Sequence, residues 1–324
     1  MEVYQTTKLL LFLVLSLTGV QGNLTVFLAF IHIACSGQKW SPSDTITVNL
    51  SFTNLLLVTC RGVPQTLTAF GLKNLFNTPG CKFILFCFRT MRAASISLTF
   101  LLSISQSIII APASSRLAVL KKSLPRNLLC SLIWFWLLSG FTSIASILYT
   151  KAAEINATLS SFTLNLEYCF TVFPGKTVYE GTNIMVLVRD TTMIALMASA
   201  SWYIVYILFK HRKQVKNICS SGHHRGVSAE TRAAKAVITL VILYVIFFGI
   251  DNMIWIYTFS VPKVSTQITD TRVFFSLLYA TIFPLVIILS NKKVSNSINY
   301  VMVLIKYKEA ATAIVKDNKA HVSK

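Results

Sequence analysis

Residues 81–112 read CKFILFCFRTMRAASISLTFLLSISQSIIIAP. The stretch is apolar for longer than the ~20 residues, at ~1.5 Å each, that a helix needs to cross a bilayer. Arg89 and Arg92 nevertheless sit inside it. Counted in helical steps from Arg92, the residues Ser95, Thr99, Ser103 and Gln106 recur on one side, and Arg89 precedes them there. At about 100° per residue, all of them fall within roughly 60° of Arg92. One face of an otherwise lipid-like helix is therefore polar along its length. Charge in hydrocarbon is costly, so such residues face a bundle interior or a water-filled cavity. The spacing predicts a helix at the centre of a membrane bundle.

The rest of the chain agrees. Of its 324 residues, 54% are hydrophobic, and the mean hydropathy is +0.64. That composition excludes a soluble domain. The net charge of +19 would suggest nucleic acid in a soluble protein. Here the basic residues gather in short loops between apolar runs, as orientation signals do, and nucleic acid is not expected as a partner. The seven cysteines form no CxxC pair, which argues against zinc or redox motifs. There is no HExxH, GxSxG or P-loop, so neither an enzyme nor a metal or cofactor is expected. His223 and His224 read as a solvated loop pair, and His32 stands alone in an apolar run.

The first apolar run is Leu9–Cys35. Its front has the shape of a signal peptide, with Lys8 as the charged flank and Gly19 and Gly22 near a cleavage point. The run continues through Val26 to Ala34, which a cleaved signal does not need, so it reads as one uncleaved span. Six more follow: Thr45–Phe70, Cys81–Ile110, Asn127–Tyr149, Thr182–Phe209, Ala233–Phe259 and Arg272–Leu289. The expected fold is an all-α membrane protein, a single seven-helix bundle over residues 1–291. A cytoplasmic tail over 292–324 follows, and its mixture of apolar residues with Lys suits a short helix on the membrane surface. Pro64 and Pro284 would bend their helices, which neighbouring helices can accommodate.

Lys39, Arg116, Lys121, Lys122, Arg126, the basic run from Lys210 to Lys235 and the tail lysines share one side. The other side has only Lys8, Lys73, Lys82, Lys151, Lys176, Lys263 and Arg272. The positive-inside rule then puts the N-terminus outside and the tail in the cytosol. This topology places the sequon Asn156-Ala-Thr158 outside, as a glycosylation site. The sequons at Asn23 and Asn49 fall within apolar spans and read as chance. Cys81 and Cys169 are the two cysteines placed in an oxidising compartment, and a disulfide between them is expected to hold the outer loop over the mouth of the bundle. Cys35, Cys60, Cys87, Cys130 and Cys219 stay free.

Six charges lie within spans: Arg61, Arg89, Arg92, Arg189, Asp190 and Asp251. Arg89, Asp190 and Asp251 each lie eight residues from the outer end of their span, about 12 Å deep at ~1.5 Å per residue. Charges of both signs at one depth point either to an outward-facing polar pocket or to ion pairs that hold the bundle together. Phe88, Trp255, Tyr257, Met193 and Met197 are near enough to form apolar walls. Two arginines on one span favour an anionic or acceptor-rich ligand. The expected ligand contacts are Phe88, Arg89, Arg92, Asp190, Met193, Asp251 and Trp255. On the inner side, Gln106, Lys210, Arg212, Lys213, Lys216, Arg232 and Lys235 are candidates for contact with a cytosolic partner or anionic lipid.

Seven spans, an outer N-terminus and a bridge from the third span to the second outer loop resemble the rhodopsin-like clan of G-protein-coupled receptors. More specific are the quoted stretch, Arg189-Asp190, KHRKQVKNICSS at 210–221, SAETRAAKAV at 228–237 and Pro284. These resemble the vomeronasal type 1 receptors and their fish relatives, the olfactory receptors related to class A. The chain departs from the wider clan at four places: Asn54 stands for the sodium-site Asp, and Ser105-Gln106-Ser107 for Asp-Arg-Tyr. Phe283-Pro284-Leu-Val-Ile287 stands for Asn-Pro-x-x-Tyr, and Gly249 for the sixth-span tryptophan. Gln106 cannot offer a G protein an arginine. The resemblance implies a chemosensory receptor in the plasma membrane of a sensory neuron, with a small odorant or pheromone-like ligand and an inhibitory-class G protein as partners. A bitter-taste-type receptor is the nearer alternative, against which the Cys81 and Cys169 pair argues. A small-solute transporter or channel is the more distant one, and the internal symmetry common in transporters is not visible here. An intramembrane hydrolase would need a nucleophile and base that the spans do not offer.

Overall fold

A computed structural model describes residues 2–72, 74–112, 115–152, 163–218, 229–260, 266–301 and 303. Asn156, Cys219, His223, His224 and the tail beyond 303 lie outside the described residues. Seven helices are long and apolar enough to cross a membrane. They are α1 (Glu2–Cys35), α2 (Pro42–Ala69), α3 (Thr78–Ile110), α4 (Leu120–Phe141, continued after a turn by the short α5, Ala145–Tyr149), α6 (Lys176–Ile218), α7 (Ala229–Ser260) and α8 (Thr266–Ser290). Residues 292–301 form a further helical segment. The expected spans are present; the main differences are that the fourth starts earlier and is interrupted at residues 142–144, and that the fifth extends to Ile218.

Local chemistry sets the helix starts. Ser41 and Asp44 form a reciprocal capping box at the start of α2, just ahead of Pro42. Asn77 caps α3 by accepting the Gly80 N–H at 2.9 Å. Within its apolar window α3 is 78% buried, against no more than 61% for any other spanning helix. It packs against α2, α4, α6 and α7. The central position expected from its polar stripe is what the fold has. The stripe is satisfied piecemeal by neighbours. Ser95 donates to Asn54 Oδ1 of α2 at 2.9 Å. Thr99 shares a 3.0 Å hydrogen bond with the Tyr279 hydroxyl of α8.

Elsewhere small residues let backbones approach. A Cβ added at Gly22 of α1 would lie 2.6 Å from Pro284 Cγ of α8. Beside it the buried Asn23 donates to the carbonyls of Gly19 at 2.7 Å and Ala280 at 2.8 Å. Asn23 is thus a packing residue, in keeping with its sequon being chance.

A small antiparallel sheet covers the end of the bundle where α3 begins. Its strands β1 (Thr150–Ala152), β2 (Thr163–Asn165) and β3 (Cys169–Val172) lie in the order β1-β3-β2. Ala152 is opposite Cys169, and Cys169 is joined to Cys81 of α3 by a disulfide with a Cα–Cα distance of 5.8 Å. The expected bridge is therefore present. The end of the bundle under this sheet holds the intramembrane charges.

Candidate functional site

Three helices meet at Asp251. Its side chain is fully buried. Oδ2 is paired with Arg92 Nη2 of α3, and Oδ1 with Arg272 Nε of α8 at 3.0 Å. Each guanidinium also lies over an aromatic ring, Arg92 4.5 Å from Phe248 and Arg272 5.0 Å from Trp255. Both oxygens of the carboxylate are thus occupied and both cations have a second contact, which a charge so deep requires. The depth argument placed Asp251 in one layer with Arg89 and Asp190, whereas the fold pairs it with Arg92, three residues further along α3.

Asp190 is committed as well. Arg189 holds its Oδ1 through Nη2 at 2.6 Å and through Nε at 2.8 Å. Arg189 also donates to Thr142 at 2.6 Å, beside the break between α4 and α5. The Oδ2 of Asp190 is buried without a partner among the described residues. Arg61 donates to the Tyr168 hydroxyl at 2.7 Å. It lies 5.4 Å from the Phe88 ring and 5.7 Å from the Tyr168 ring, so the loop before β3 inserts Tyr168 into the sheet end of the bundle. Arg89 is half-buried and makes no hydrogen bond or ion pair among the described residues.

Of the other expected wall residues, Phe88 and Met193 are half-buried, and Trp255 and Met197 are buried. Tyr257 is 53% exposed and faces away from the charges, because it lies two residues beyond Trp255 on another face of α7. It lines a groove of about 360 Å³ between α7 and α8, with Met253, Ile254, Ile268 and Thr271. None of the buried charges line that groove. A cavity of about 20 Å³ lies at the charged layer itself, bounded by Arg92, Ser95, Tyr244, Phe248 and Tyr279. Of these two, the small cavity is the one that touches polar groups able to recognise a ligand.

Two features escaped the sequence reading, the first being the surroundings of Asp251. Arg272 was counted as a loop charge at the edge of an apolar run, whereas α8 begins at Thr266 and carries it inside. Tyr244 and Phe248 stand seven and three residues before Asp251, on its helical face, and that spacing was a usable signal. Tyr244 packs edge-on to Tyr279 with centroids 4.4 Å apart. The second feature is a cluster around Lys8, which pairs with Glu167 at 2.7 Å and Asp270 at 2.9 Å. Gln65 donates to the same two carboxylates at 3.1 and 3.0 Å, and Tyr4 donates to Asp270 at 2.7 Å. One buried lysine thereby ties α1, α2, α8 and the loop before β3.

At the opposite end, Gln106 is buried and donates to Ser43 of α2 at 2.8 Å. Its neighbour Ser107 donates to the Ala200 carbonyl of α6 at 3.1 Å. Lys210 and Lys235 are exposed and Arg232 is half-buried. The side chains of Arg212, Lys213 and Lys216 lie outside the described residues, although their backbone continues α6.

Known proteins share both this sequence pattern and this fold. Residues 6–300 match the vomeronasal organ pheromone receptor family. An olfactory receptor class A-like protein 1 of Danio rerio is 39% identical over 90% of this chain and 92% of its own length. The human vomeronasal type-1 receptor 4 is 27% identical over 84% of this chain and 90% of its own. Squid rhodopsin shares the fold, with a TM-score of 0.70 at 17% identity over 94% of this chain and 87% of that one.

Proposed function

Because the chain belongs to the vomeronasal organ pheromone receptor family, we propose that it signals by ligand-driven rearrangement of the Arg92–Asp251–Arg272 triad. It is a multi-pass plasma-membrane receptor of the G-protein-coupled, chemosensory kind. In our reading the N-terminus and the sheet face outside, and residues 292–324 form a cytosolic tail. A small odorant or pheromone-like molecule reaches the sheet end of the bundle. There it meets Phe88, Arg89, Arg92, Asp190, Met193, Asp251 and Trp255, to which we add Arg272. The cell is a chemosensory neuron, and Asn156 carries a glycan.

The observation that carries this reading is the single carboxylate, Asp251, bridging α3, α7 and α8 beside the Phe248, Tyr244 and Tyr279 rings. A ligand that competes for Arg92 or Arg272 alters the relative packing of three helices at once. Interfaces of this sort are bistable rather than continuously deformable, so a local exchange of partners becomes a discrete shift. The shift travels along α3 to Gln106, whose bond to Ser43 and whose neighbour's bond to Ala200 tie α3 to α2 and α6. Loosening there opens a basic surface at Lys210, Arg212, Lys213, Lys216, Arg232 and Lys235 to a G protein of the inhibitory class.

The test is a G-protein activation assay in cells expressing the chain, with a panel of small acids, amines, steroids and aromatic odorants. Arg92→Gln and Asp251→Asn are run alongside, with surface level measured for each. A ligand response, lost or replaced by constitutive activity in variants that reach the surface, supports the triad as the switch. An unchanged ligand response in both variants sinks it.

A further inference from the structure

We propose that Arg89 is the anchor for an oxyanion (carboxylate, sulfate or phosphate ester) on the ligand, so that the receptor recognises organic anions. This rests on the reading above, that ligands reach the sheet end of the bundle. Five arginines lie at that end, and four of them are accounted for. Arg92 and Arg272 share Asp251, Arg189 holds Asp190, and Arg61 is held by Tyr168 and Phe88. Arg89 has no hydrogen bond or ion pair among the described residues. Arg272, Arg61, Arg92 and Arg189, all of its own sign, are near enough to act on it.

A half-buried guanidinium among like charges, within a membrane span, is unfavourable until an anion joins it. Its planar fork suits an oxyanion bound through two nitrogens. Asp251 already serves two guanidiniums. Asp190 is 1% exposed and held by Arg189. The rings of Phe88, Phe248 and Trp255 each lie beneath an arginine. Asp190 keeps one oxygen without a partner among the described residues, but of the charged side chains named here only Arg89 has neither a hydrogen bond nor an ion pair among them.

An anchor of this kind has a signature that a structural residue lacks. Removing Arg89 relieves repulsion, so the ligand-free chain is expected to lose no stability, whereas removing Arg92 takes from Asp251 one of its two partners. The experiment measures thermal unfolding of the full chain in lipid nanodiscs, at constant ionic strength, with chloride, sulfate, benzoate or neutral benzamide. Sulfate and benzoate are expected to raise the midpoint of the wild type above its value in chloride, and benzamide not to. In Arg89→Gln the ligand-free midpoint is expected to stay level or rise, and the apparent affinity for benzoate to fall by roughly tenfold or more. Arg89→Lys, which keeps the charge without the fork, is expected to fall between.

Three results would overturn the proposal: no stabilisation of the wild type by either oxyanion, equal stabilisation of Arg89→Gln, or a ligand-free midpoint of Arg89→Gln as low as that of Arg92→Gln. Chloride that competes with benzoate on equal terms would replace the organic ligand with a resident inorganic ion. Binding is read here without a G protein, so a failure of signalling produces none of these outcomes.

Discussion

At the scale of single residues, Asp251 decides more than any other side chain. One buried carboxylate pairs with two guanidiniums from different helices, and removing its charge leaves both unpaired. Breaking a buried pair from one side costs about 3–5 kcal/mol, much of it the penalty of the charge left behind. Asp251→Asn is therefore expected to lower thermal stability by that order, read as a loss of folded receptor at the cell surface. Adding Arg272→Gln is expected to recover part of the loss, because one of the stranded cations is then gone. A double-mutant cycle over the two positions checks this, and strict additivity would contradict the shared carboxylate. Arg92 and Asp251 were legible in the sequence as charges within spans, although the depth count matched Asp251 with Arg89 instead. Arg272 was not, because a cation at the end of an apolar run reads the same whether it caps the helix or turns inward.

At the scale of elements, the polar stripe on α3 works as a set of separate fasteners. Ser95 meets α2, Thr99 meets α8, Gln106 meets α2 again and Ser107 meets α6. The stripe itself was visible from its spacing, since one helix and its period are enough to define a face. The α1–α8 seam was not, because nothing in the local sequence distinguishes a glycine that touches a proline across the bundle from one that faces lipid. Gly22→Val is expected to destabilise the bundle by roughly 1–3 kcal/mol, the usual cost of overpacking. Its added carbon would meet Pro284 at 2.6 Å. Gly140→Ala, where nothing lies within 4 Å, is the matched control and is expected to be near neutral. Thermal unfolding of the two variants separates the seam from a general intolerance of glycine replacement.

At the scale of the whole molecule, the sheet end is closed by two unlike tethers. The disulfide joins β3 to α3, and the Lys8 cluster joins the residue two before Cys169 to α1, α2 and α8. Cys81→Ser is expected to cost about 2–5 kcal/mol, as loss of a native disulfide commonly does. Lys8→Met removes the cation that Glu167 and Asp270 share, and is expected to loosen the loop while the disulfide stays intact. Limited proteolysis within residues 150–172 measures this: faster cleavage in Lys8→Met with wild-type disulfide content supports two independent tethers. Cleavage unchanged from wild type would mean that the disulfide alone holds the loop.

What could be read along the chain is whatever depends on one segment at a time. Apolar length marked the seven spans, helical period marked the inward face of α3, and compartment logic singled out Cys81 and Cys169. Which charges meet is a different kind of fact. The partners Arg92 and Asp251, or Lys8 and Glu167, are each 159 residues apart. Whether such pairs touch depends on the rotation and depth of separate helices. A shift of one residue turns a side chain by about 100°, so hydropathy, which tolerates such shifts, cannot specify the contact. Packing specifies it, and only the folded bundle leaves Arg89 without a partner among the described residues.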